Sequence, residues 1–212
     1  MFEPYAHHCI ANPDETGGTW ALRLMSSGKD PDSFVLNDPE LSETVPVFLK
    51  TKRQLLSFQL GDLLAFNDTY CIPTVINHPL FDSFVIGFSP PPQAQHLWLL
   101  QMTTSSSHKC LPKGYLVAED IVRQIQRQLE PGPPSQAEKP DLKGKGKAKE
   151  PLSVEVNYVL IRPAGEKEHK WSLPKGWDQK RNVYLLEFPL DHDRQTRRNG
   201  RRQHPLPDQS GH

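Results

Sequence analysis

Apolar and polar positions along the 212-residue chain fall into short alternating runs rather than long helical stripes. Strand-like runs stand at Thr19–Met25, Phe81–Phe88, Leu97–Thr103, Val154–Ile161 and Val183–Phe188, rich in aromatic and β-branched residues. In the first, Trp20, Leu22 and Leu24 alternate against Ala21 and Arg23. The clearest helical pattern runs from Tyr115 to Leu129. There Val117, Ile121 and Ile125 recur every four residues, Val122 and Leu129 widen the stripe, and Glu119 and Arg123 are spaced for an i,i+4 pair. Pro131 and Gly132 stop that helix. A shorter helix is predicted over residues 1–10, where Phe2, Tyr5, Ala6 and Cys9 share helical spacing and Pro4 falls in the first turn.

Other stretches are less regular. Residues 26–40 read as a polar loop, Val45–Leu49 and Thr69–Ile76 as extended chain, and Pro73 as the mark of an edge or irregularity. The apolar run within Thr51–Phe66 reads as a helix or helix and turn, although Gly61 costs a helix about 1 kcal/mol. Alternating elements of both kinds predict an α/β (α+β) fold, a mixed central sheet flanked by helices.

The expected organisation is one domain over residues 1–190, a flexible insert at 131–152 and a basic tail at 191–212. The insert is built of Pro, Gly and Lys with almost no apolar content, so it buries too little to offset its ordering entropy. Mean hydropathy of −0.61 and 21 prolines agree with a chain that is partly loop.

The formal net charge is zero, so any attraction to nucleic acid must come from local clusters. Arg197, Arg198, Arg201 and Arg202 form the densest one, readable as a phosphate-contacting or nuclear-import run and equally as a solubilising tail. Lys143, Lys145, Lys147 and Lys149 alternate with small residues, as in a soluble linker. Cys9, Cys71 and Cys110 show no CxxC spacing and no even number, which points away from structural zinc and toward a reducing, intracellular compartment. The first residues lack the pattern of a secretory signal, and no apolar run is long enough to span a bilayer.

The chemistry centres on Asn77–His108. Two strands joined by the SPPPQAQ loop bring Asp82, near the start of one, toward Gln101 and Thr103, near the end of the other. Pairing Phe88 with His96 sets Asp82 opposite Met102 and Ser83 opposite Gln101. Each residue also has a plainer reading. Asp82 suits a turn acid that caps a backbone amide, Gln101 and Thr103 an exposed strand end, and Glu3 a solvated terminal acid. His7 and His8 lack a third ligand for zinc and read as solvated or core histidines. Trp171 and Trp177 suit packing or base stacking. The SSSH run (Ser105–His108) lacks the G-x-S-x-G turn of a nucleophile elbow, and neither Lys175–Gly176 nor Gly144–Lys145 has phosphate-loop spacing.

In order, the segments FEPYAHHCI, GGTWALRLM, NHPLFDSFVI and LWLLQMTTSSSH resemble the nuclease-like domain of Crinkler effectors and retrotransposon hot spot proteins, of the restriction-endonuclease-like PD-(D/E)xK group. The resemblance spans roughly residues 1–190 without the insert. It implies a nucleic-acid-binding, Mg²⁺-dependent phosphodiester-cleaving function, with Glu3, Asp82 and Gln101 as the metal shell. The lysine of the (E/D/Q)xK motif is Thr103 here, which supplies no charge; His108 and Lys109 follow the strand and would assist the water in its place. That departure leaves two other readings open, a non-catalytic protein-interaction module and an inactive mobile-element remnant.

Overall fold

The computed structural model describes residues 2–16, 21–27, 33–36, 43–44, 52–59, 61–62, 69–75, 78, 80–87, 95–105, 107–109, 111–129, 153–165, 170–173 and 182–188. Helix α1 (Phe2–Ala11) and the short α2 (Pro13–Thr16) precede strands β1 (Leu22–Ser27), β2 (Ser33–Leu36), β3 (Glu43–Thr44), β4 (Gln54–Phe58), β5 (Thr69–Pro73), β6 (Ser83–Gly87), β7 (Gln95–Met102) and β8 (Ser107–Lys109). Helix α3 (Lys113–Leu129) and strands β9 (Val154–Pro163), β10 (Lys170–Ser172) and β11 (Asn182–Phe188) follow.

The mixed sheet runs in the order β4-β5-β6-β7-β9-β11-β1 and continues through β2 and β10 to β8, with β3 also on β1. Strands β5, β6 and β7 form an antiparallel meander, whereas β7, β9 and β11 are mutually parallel. Helix α3 lies in the crossover from β7 to β9, as a parallel connection requires. Strand β9 is buried from Val156 to Pro163, as in a strand covered on both faces, and carries two polar side chains in that span, Asn157 and Arg162.

Side-chain alternation divides the core between the two faces. Ala118, Ile121 and Ile125 of α3 pack with Phe84, Ile86, Leu97, Leu99, Tyr158, Leu160 and Leu185. Phe2, Ala6, Cys9 and Ile10 of α1 pack with Val85, Leu100, Met102, Val159, Ile161 and Leu186. The α/β character and both flanking helices are therefore as the periodicity predicts. In α3 the ion pair observed joins Arg123 to Asp120 at 3.5 Å, three residues apart, rather than to the expected Glu119.

Several local expectations are corrected. The segment expected as a helix within Thr51–Phe66 contains strand β4, paired in parallel with β5. Gly61, at φ 96°, turns the chain, and the Asp62 carboxylate accepts the Gln59 N–H at 2.7 Å. A stretch with only three apolar residues, Leu55, Leu56 and Phe58, fits either period, and pairing to a neighbouring strand decided it. Pro73 ends β5, which lies between β4 and β6 rather than at an edge. The loop expected at 26–40 includes the end of β1 and the whole of β2, antiparallel to it. In β1, Leu22 is buried on the α1 side, but Leu24, expected to share its environment, is exposed, and Met25 turns to the α3 side.

The hairpin register is shifted by one residue. His96 pairs with Gly87, not Phe88, and Ser83 pairs with Leu100, so Asp82 falls level with Gln101. Trp20, Val45–Leu49, the SPPPQA stretch at 89–94, Trp177, the 131–152 insert and the 191–212 tail with Arg197, Arg198, Arg201 and Arg202 lie outside the described residues. Among the described residues no helix is long and apolar enough to cross a membrane.

Candidate functional site

Because β6 runs against β7, its first residues stand beside the last residues of β7. Asp82 sits at the bend before β6, where its own N–H donates to the Leu100 carbonyl at 2.8 Å. Its Oδ2 accepts two hydrogen bonds of 2.6 Å, from the Gln101 side-chain amide and the Met102 backbone N–H. Burial pushes the Asp82 carboxyl up to about 7; the Met102 N–H opposes that rise and the Glu3 charge adds to it. Near neutral pH the group is thus divided between its two protonation states, as suits an acid or base.

Gln101 is 3 % exposed on the α3 side of the sheet. Its Oε1 lies 3.5 Å from the Tyr158 hydroxyl, whose proton also reaches the Leu80 carbonyl. Leu80 is held in turn by α3, because Gly114 has no Cβ to collide with it. A glycine in the first turn of a helix therefore positions the segment that carries Asp82.

A second thread approaches from the α1 side. Glu3, with its side chain 59 % exposed, lies 3.6 Å from His7 Nε2. His7 Nδ1 meets the Tyr70 hydroxyl at 2.7 Å, and that hydroxyl meets Ser83 Oγ at 2.6 Å, one residue from Asp82. With the His7 proton on Nε2 facing Glu3, Nδ1 accepts from Tyr70 and Tyr70 accepts from Ser83. Desolvation lowers the His7 pKa and Glu3 opposes that effect, while burial holds the Tyr70 phenol protonated.

Asp82 and Gln101 therefore meet as expected, and Glu3 lies close enough for its charge to act on Asp82. The expected metal shell is not assembled in full. Gln101 offers Asp82 an N–H donor and turns its carbonyl oxygen toward Tyr158, so it orients the carboxylate rather than adding a ligand. Among the described residues no group of three or more His, Cys, Asp or Glu side chains is close enough to hold an ion. Glu3 approaches from the α1 side, whereas Asp82 meets Gln101 on the α3 side, and the two carboxylates are linked through the charge that Glu3 exerts on Asp82.

Thr103 is buried, not at an exposed strand end. Its N–H donates to the Ile161 carbonyl at 2.9 Å and its Oγ1 accepts from Ser105 N–H at 3.0 Å. It thus caps the turn after β7. His108 and Lys109 lie in β8, level with Trp171 and Ser172 of β10, and not beside Gln101.

The sequence did not reveal Tyr70, Ser83 and Tyr158 as site residues, because isolated hydroxyls in strands resemble ordinary core positions. The signal for Arg162 was a cation closing an apolar strand. Arg162 donates from Nε to Glu187 Oε1 at 2.9 Å and from a terminal nitrogen at 2.7 Å, while Arg23 bonds the other oxygen of that carboxylate. Arg162 is 5 % exposed, and all three residues lie at the end of the sheet that carries Gln101.

The chain matches no family model, no curated protein and no solved structure.

Proposed function

We propose that this domain is a restriction-endonuclease-like nucleic-acid-binding domain of the Crinkler and retrotransposon hot spot type, acting as a Mg²⁺-dependent phosphodiesterase centred on Asp82. The observation that carries the reading is the 2.6 Å contact between Asp82 and Gln101 at neighbouring strand ends, within electrostatic reach of a glutamate on the first helix. Those are the three positions at which the resemblance implies the metal-facing residues.

In this reading Asp82 and Glu3 would hold Mg²⁺, which would supply Lewis-acid activation of a phosphodiester and of water. Asp82 presents a carboxylate whose orientation is held by Gln101 and the Met102 N–H. Gln101 is itself steadied by Tyr158. The His7–Tyr70–Ser83 thread ties α1, and with it Glu3, to the strand that follows Asp82.

A second reading, a nucleic-acid- or protein-binding module without cleavage, is favoured by one observation. Thr103 spends its hydroxyl on a turn at the place of the lysine. Plasmid cleavage separates the two. The enzyme cuts with Mg²⁺, stops with EDTA, and loses cutting in Asp82→Ala while the variant remains folded by circular dichroism. Absence of metal-dependent cutting by the wild-type chain overturns the enzymatic reading.

A further inference from the structure

We propose that Arg162 supplies the cation that Thr103 lacks, gripping the phosphodiester backbone that faces Asp82. The proposal rests on the phosphodiester reading above and assigns that site a residue outside the motif.

Register carries it. The Thr103 N–H to Ile161 O bond extends the β7–β9 ladder one step beyond Met102↔Ile161, which sets Thr103 level with Arg162. Alternation places Arg162 on the same face as Gln101, the α3 side, since Leu160 and Tyr158 belong to that cluster. The charge has therefore moved one strand across the sheet while staying level with the motif's third position. From Asp82 the step is two strand spacings across and two residues along, on the order of 12 Å, which a long arginine side chain and a phosphodiester group bridge together.

The guanidinium is also prepared for an oxyanion. Glu187 receives two of its N–H groups in a fork, and Arg23 clasps the other oxygen, so a carboxylate already sits between two guanidiniums. Arginine keeps its charge and planar fork where a buried lysine loses its proton readily. Arg162, level with Thr103, is the residue on which the proposal depends. The position also accords with a general preference, in sheets with parallel strands, for ligands at the carboxyl ends of the strands.

The test is fluorescence anisotropy with a labelled 20-nucleotide duplex DNA, and separately with an RNA of the same sequence, both in EDTA so that metal plays no part. Arg162→Gln is expected to weaken binding roughly tenfold, and Arg162→Lys to weaken it less. Glu187→Gln removes the competing carboxylate and is expected to tighten binding, a gain that loss of structure does not produce. Thermal melts accompany each variant. Unchanged affinity in folded Arg162→Gln, weakened affinity in folded Glu187→Gln, or no binding by the wild-type chain overturns the proposal. Cleavage is scored separately with Mg²⁺. Binding that follows Arg162 without any cutting leaves this assignment standing and removes the enzymatic one; cutting that ignores Arg162 does the reverse.

Discussion

The Gln101 side-chain amide donates to Asp82 Oδ2 at 2.6 Å, joining residues 19 positions apart across an antiparallel hairpin. The bond is as short as the one from the Met102 backbone N–H to the same oxygen. Two donors on one half-buried oxygen hold the carboxylate in a single orientation, and its burial raises its pKa.

The pH dependence of stability follows from that shift. The Asp82 pKa is raised from 3.8 to about 7, so the folded state binds more protons than the unfolded state between those values. Its contribution is fully present below the unfolded value and is lost as pH rises through about 7. Asp82→Asn is expected to flatten this decline and to raise stability at pH 8 by on the order of a few kcal/mol, while abolishing cleavage. Urea denaturation from pH 4 to 8 checks the slope; an unchanged slope in the variant removes Asp82 as its source.

His7 works in the opposite direction. Desolvation lowers its folded pKa below 6.5, so its contribution is present above that value and is lost as pH falls through the folded pKa. Tyr70→Phe removes the hydroxyl shared by His7 and Ser83 and is expected to cost about 1–3 kcal/mol, because two buried groups lose a partner. Chemical denaturation at pH 7 measures the loss, and proteolysis near residues 1–11 reports whether α1 has loosened.

Gly114→Ala should destabilise the protein although alanine is the better helix former. A Cβ there would run into the Leu80 Cβ and stand 3.1 Å from the Leu80 backbone nitrogen. Overpacking of this kind costs about 1–3 kcal/mol, more than the roughly 1 kcal/mol gained in propensity. Leu80 leads directly into Asp82, so DNA binding or cleavage should fall as well. Thermal melts of the single variant and of Gly114→Ala with Leu80→Ala test the clash, since the smaller side chain at 80 should relieve part of it.

Ile125→Ala is the control for the helix core. Ile125 is fully buried between α3 and the sheet, remote from the Asp82 bend, and its truncation should cost about 2–5 kcal/mol. Equilibrium unfolding should report that loss, with the slope of stability against pH left as in the wild type.

The amphipathic stripe of α3, the strand character of β7, β9 and β11, and α1 were legible because each repeats its period over enough residues to be unambiguous. β4 was not, since three apolar residues in so short a stretch carry no decisive period and Leu55 and Leu56 suit either element. Asp82 and Gln101 were legible as polar interruptions of apolar strands. Their contact depended on a register shift of one residue, which no local pattern specifies.

Sequence alone determined the local periods, the strand character of β9 and the placement of an acid and an amide near neighbouring strand ends. Tertiary structure decided that Gln101 gives Asp82 its N–H rather than its oxygen, that Thr103 is taken up by a turn, and that Arg162 stands level with it. The division has a physical origin. Side-chain period is a property of consecutive residues, whereas register, hydrogen-bond polarity and cross-strand neighbours arise only when distant segments compete to bury the same surface.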